Sequence, residues 1–118
     1  MTENQNKYDL EERTLKFARK VVEFIGNISK TLSNIEITKQ LVRSAGSVGA
    51  NYIEANEALS KKDFVMRIKI CRKEAKESRY WLKLLVITDV EIGKERERLI
   101  GESTELTKIF SSIVVKSK

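Results

Sequence analysis

Residues 60–88, SKKDFVMRIKICRKEAKESRYWLKLLVIT, decide the fold. Within them Phe64, Ile68, Cys71, Ala75, Ser78, Leu82 and Leu85 follow one another at alternating steps of four and three. That is the 3.5-residue repeat of helices packed side by side. Neither proline nor glycine interrupts the stretch, and Ser60 and Asp63 stand at the spacing of a helix cap and its third residue. A helix is therefore expected over 61–88.

The same stepping extends outward in both directions. Before it, Ile37, Leu41, Ala45, Val48, Tyr52 and Ala55 lead toward Leu59, and Phe17, Val21, Phe24 and Ile28 repeat the pattern. After it come Ile92, Leu99, Ser103, Leu106, Phe110 and Ile113. Each set lines one face of a helix. Asp9 and Glu12 have the spacing of a capping box, which places the first helix at 10–31 behind a polar, frayed tail. Ser33 and Asn34 supply a turn and a cap for a second helix over 35–57, and a fourth runs over 92–115. In the second helix Gly46 and Gly49 cost about 1 kcal/mol each relative to alanine. With Ser44, Ala45, Ser47 and Ala50 they form a slim stretch, read as a close helix contact inside the bundle. Gly101 marks a close approach or a bend in the fourth helix.

Four such helices joined by short turns must run alternately up and down, so the fold class is all-α, an antiparallel up-down-up-down four-helix bundle. The chain has 118 residues, no proline and five glycines. That length suits one domain over 1–118, and the shortage of turn formers argues against a sheet-rich fold. With no histidine and one cysteine, histidine-based catalysis, histidine-containing zinc sites and internal disulfides are excluded. No apolar run approaches the ~20 residues of a membrane span, and Met1–Arg13 lacks the apolar stretch of a secretory leader. A cytoplasmic protein is expected, without cofactor, membrane or small-molecule substrate.

Charge is the informative departure. The chain carries a net +6, and residues 60–83 alone account for the same excess, nine basic side chains against three acidic ones. Lys69, Arg72, Lys76, Arg79 and Lys83 step by three, four, three and four, forming one stripe beside the apolar seam, with Lys62 on the same line. Like charges at this spacing repel. Glu91, Glu95, Glu102 and Glu105 make an acidic line on the fourth helix, broken by Arg98, but it lies on the opposite flank of its seam. The stripe is thus a solvated face, or it meets something outside the monomer: another subunit or the phosphates of RNA or DNA.

Tyr80 and Trp81 sit beside the stripe. They are assigned first to an oligomer interface and second to base stacking. Arg43, Ser47, Asn51 and Glu54 share a helical line and are expected to form a partly buried network that fixes register. Glu54 and Glu57 resemble a carboxylate pair, yet a di-metal bundle needs histidine partners that this chain lacks. Glu74 and Glu77 read as ion-pair partners of neighbouring cations, and Cys71 as a small core residue. No set of residues points to an enzyme.

The segment Leu41-Val42-Arg43-Ser44-Ala45-Gly46-Ser47-Val48-Gly49-Ala50-Asn51-Tyr52-Ile53-Glu54-Ala55 resembles the second-helix signature of a small bacterial family, that of the protein encoded by intervening sequences of 23S ribosomal RNA genes. Ser60–Phe64 and Lys73–Leu82 are similar to its third helix, although Ala55 stands where many members carry glycine. The resemblance implies a four-helix bundle that forms a closed homo-oligomer, often a pentamer, and no catalytic residues. It extends to the accessory protein of diversity-generating retroelements, which implies a basic surface for nucleic acid. The expectation is a non-enzymatic homo-oligomeric scaffold binding RNA or DNA through Lys69, Arg72, Lys76, Arg79 and Lys83. The alternative is a protein-binding adaptor whose stripe is covered by neighbouring subunits.

Overall fold

A computed structural model describes residues 3–118, with side chains from Asp9 onward. Four helices follow in order: α1 (Glu3–Ile25), α2 (Leu32–Asn56), α3 (Lys61–Leu84) and α4 (Val90–Lys116). Cross-links between them fix their directions. On α2 and α3, Arg43 meets Glu77 and Asn51 meets Arg67, so residue numbers rise along one helix as they fall along the other. The pairs Glu11–Asn56 and Thr14–Gly49 show the same for α1 and α2, and Arg79–Thr104 with Leu85–Arg96 for α3 and α4. Consecutive helices are antiparallel, and α1 closes the ring against α4. The result is a four-helix bundle measuring 45 × 26 × 19 Å.

The seams read from the sequence form its core. Phe17, Val21, Leu41, Val48, Ile68, Cys71, Leu82, Leu99, Leu106 and Phe110 are almost fully buried. At about 1.5–3 kcal/mol for each large apolar side chain removed from water, this stripe rather than helix propensity holds the fold. Phe64, Ile92 and Ile113 are only partly buried at its margins. Leu59, expected to end the second seam, is fully exposed, because α2 stops at Asn56 before reaching it.

The helix ends depart from expectation in several places. Asp9 and Glu12 do not cap α1, which already includes Glu3; Met1 and Thr2 lie outside the described residues. α1 ends at Ile25 rather than Thr31, and Gly26 follows directly. Thr31 caps α2 instead of Ser33 or Asn34, its hydroxyl accepting from the Asn34 backbone N–H at 3.2 Å. Ser60 caps α3 as expected, accepting from Asp63 at 3.0 Å. α3 stops at Leu84, not Thr88, and Asp89 caps α4 by accepting from Ile92 at 3.0 Å. The side chain of Asn34 explains the early end of α3. Its Nδ2 donates to the Val86 and Ser29 carbonyls at 3.0 and 3.1 Å, and its Oδ1 accepts from the Val86 N–H at 3.0 Å. Backbone polar groups of the α1–α2 and α3–α4 connections are thereby satisfied by one buried residue.

The slim stretch of α2 divides in two. A Cβ on Gly49 would stand 2.9 Å from Thr14 Oγ1, so glycine is required there for α1 and α2 to approach. Thr14 cannot yield easily, since it is buried and its hydroxyl donates to the Leu10 carbonyl at 2.7 Å. Gly46 and Gly101 have nothing within 4 Å of a Cβ position, so neither makes the close approach expected of it. Gly49→Val is expected to destabilise the bundle by about 2 kcal/mol through overpacking. Gly46→Ala should stabilise it by about 1 kcal/mol. Urea midpoints of the two variants check both signs.

Candidate nucleic-acid interface

The basic stripe follows from the phase of α3. Residues that step with the apolar seam but one position on emerge on its flank. Lys69, Lys76 and Lys83 are exposed, and Arg72 and Arg79 are half-buried. Arg79 Nη1 donates to Thr104 Oγ1 at 3.3 Å. From Lys69 to Lys83 the row spans about 21 Å at 1.5 Å per residue.

None of these five side chains forms an ion pair with a carboxylate among the described residues. The ion pairs there join Arg13 to Glu102, Arg43 to Glu74 and Glu77, and, within single helices, Lys39 to Glu36, Lys94 to Glu91 and Arg98 to Glu95. The acidic line of α4 therefore faces α1 or its own helix. Glu102 takes Arg13 in a two-pronged contact, Nε and Nη2 each donating at 2.8 Å. What α4 offers α3 is the other flank, where Thr104 is followed at helical spacing by Lys108, exposed and one turn further on.

Tyr80 and Trp81 part company. Tyr80 is 58% exposed, and Trp81 packs partly buried against the core. Their rings meet edge to face with centroids 5.0 Å apart. The indole N–H of Trp81 is buried without a hydrogen-bond partner among the described residues.

The line Arg43, Ser47, Asn51 and Glu54 does not close into one buried network. Ser47 donates to the Arg43 carbonyl and Asn51 to the Ser47 carbonyl, both at 2.8 Å, which ties side chains back to their own helix. The links that fix register run across to α3. Arg43 reaches Glu77 at 3.2 Å and Glu74 at 3.5 Å, and Asn51 accepts from Arg67 at 3.2 Å. Glu54 is exposed and takes no part, because α2 turns that position outward.

Among the described residues Glu74 is the one buried carboxyl, and its Oε1 has no hydrogen-bond partner there. Burial, reinforced by the neighbouring Glu77 carboxyl and opposed by Arg43, raises its pKa above the ordinary carboxylate value. A raised carboxyl favours folding fully below the unfolded-state value of about 4.3 and loses that contribution as pH rises through the folded value. Glu74→Gln should thus melt higher than the parent at pH 7. The difference should vanish below about pH 4, where both side chains are neutral; thermal melts across pH check this.

A cleft of about 800 Å³ between α1 and α4 is lined by both signs of charge, including Glu12, Lys16, Lys20, Glu95 and Arg98. Among the described residues no three Asp, Glu or Cys side chains come together as a metal site, and no helix is long and apolar enough to cross a membrane. Cys71 is fully buried, and burial pushes its thiol up to about 12. It is a core residue, far from the reactive thiolate range.

The family model described as 23S rRNA-intervening sequence protein matches residues 6–112. The chain belongs to that family. It is also similar to a crystal structure from Bacteroides thetaiotaomicron, described as a protein of unknown function from the S23 ribosomal protein family. The two are 33% identical with a TM-score of 0.79, over 92% of this chain and 96% of the other. No curated protein matches. Neither the family nor this structural relative is a known enzyme.

Proposed function

We propose that this member of the 23S rRNA-intervening sequence protein family is a non-enzymatic, self-associating scaffold that binds the phosphate backbone of RNA or DNA through Lys69, Arg72, Lys76, Arg79 and Lys83. One observation carries the reading. The row of cations on α3 forms no ion pair with a carboxylate among the described residues, while Glu102 of α4 pairs with Arg13 of α1, and Glu91 and Glu95 pair within their own helix. Five cations spread over about 21 Å fit a run of successive phosphates. Tyr80, held edge-on by Trp81, is the one exposed aromatic beside the row among the described residues. That favours contact with the backbone over stacking of bases.

The test is binding of a structured RNA to the full chain at two salt concentrations. About five phosphate contacts give a log–log salt slope near −4.5, so affinity should fall roughly 500-fold between 50 and 200 mM salt. Absence of binding at 50 mM, from a protein that still self-associates, would overturn the nucleic-acid reading in favour of the protein-binding adaptor.

A further inference from the structure

The positive charge of α3 does not stop at Lys69. Because α3 and α4 run antiparallel, the first turns of α3 lie beside the last residues of α4, and a cleft of about 690 Å³ opens between them. That is the size of a small-ligand site. Val65 and Met66 line it with apolar surface; Val65 packs partly buried against the core, and Met66 is 49% exposed. Around them stand Lys61, Lys62, Lys69 and Lys118, all exposed. Asp63 is the one carboxylate in the lining, and no lysine of the cleft pairs with it or with any other carboxylate among the described residues.

Four cations against one carboxylate select an anion, and the apolar lining selects one that also has a poorly hydrated part. Lys69 decides which anion, since it belongs both to the cleft and to the row proposed to follow a nucleic-acid backbone. We infer that the cleft takes an unpaired terminal nucleotide of the RNA or DNA whose paired part lies along Lys69 to Lys83. From Lys69 back to Lys62 is about 10 Å along the helix, so the cleft extends the row in line and gives the next phosphate its cations. The base then lies on Met66, whose soft thioether makes favourable contacts with aromatic rings. An unpaired base can turn its face to the protein, which a base inside a duplex cannot. Contact through the face tolerates any base, so the site reads the end of a strand and not its sequence.

The inference rests on the nucleic-acid reading of the row, and fluorescence anisotropy of the full chain with three forms of one RNA hairpin separates the two. One form is blunt, one carries a short single-stranded extension, and one carries an abasic extension of the same length and charge. With the extension at the 5′ or the 3′ end in turn, the protein should bind one of the base-carrying forms about tenfold more tightly than its abasic counterpart. Met66→Ser, with its folding checked by circular dichroism, should bring that ratio to within about twofold of one. Lys62→Glu leaves the apolar lining intact and should cut the advantage of the extended form over the blunt hairpin by about fivefold. Equal binding with and without bases, at both ends, overturns the inference while the row keeps its role. A preference that survives Met66→Ser overturns the placing of the base in this cleft. Failure of every form to bind at 50 mM salt removes the reading of the row, and this inference with it.

Discussion

Replacing Lys69, Arg72, Lys76 and Arg79 together by glutamate should reduce affinity for a structured RNA by about 1,000-fold or more at 50 mM salt. The size follows from the electrostatics of a polyanion. Each cation at the backbone releases about one condensed counterion, so four losses take roughly 3.6 from the salt slope, and four added negative charges repel what remains. The variant should still fold. The side chains hold no ion pair among the described residues, and the one polar contact they make to the rest of the bundle is Arg79 to Thr104. Circular dichroism at matched concentration checks this. Reversing Lys16 and Lys20, which line the mixed-charge cleft between α1 and α4, should cost about tenfold or less. That control separates a local surface from the effect of overall charge. Equal losses from both variants would mean that the α3 stripe has no special role.

Asn34→Ala should lower stability by about 3–4 kcal/mol, a fall in melting temperature of roughly 15 °C. The residue makes three hydrogen bonds, to Ser29 and to both backbone groups of Val86, while itself buried. Alanine removes all three and leaves their partners on two different connections without replacement. Asn34→Asp keeps the acceptor for the Val86 N–H but loses both donations, and it brings a carboxylate against two carbonyl oxygens. It should rescue little of the loss at neutral pH and more of it in acid, where a protonated carboxyl donates again. Urea unfolding of the three proteins at two pH values measures this. A loss below about 1 kcal/mol for the alanine variant would show that water substitutes freely for the amide.

The seams and the bundle were legible because a period near 3.5 residues is carried by every residue of a helix at once. Phe17, Leu41, Ile68 and Phe110 point inward for the same reason. Helix ends depend on single side chains and on what they meet, so they were less legible. Thr31 caps α2 where Ser33 and Asn34 were equally plausible, and Asn34 is occupied across the bundle by Val86, which no local pattern reveals. Gly46 and Gly49 look alike as letters; only the position of Thr14 tells them apart. The stripe on α3 was readable as a row, and the flank on which α4 presents its glutamates was anticipated from helical phase. The cleft at the start of α3 was not, because Ser117 and Lys118 reach it from the far end of the sequence.

Cys71 gives the bundle an internal clock. Its sulfur is sealed in the middle of α3, with its thiol held near 12, so an alkylating reagent can reach it only when the helices come apart. The rate of its labelling under native conditions then counts whole-molecule openings, with no dye or tag added, and any ligand that clamps the bundle will register as a slower count.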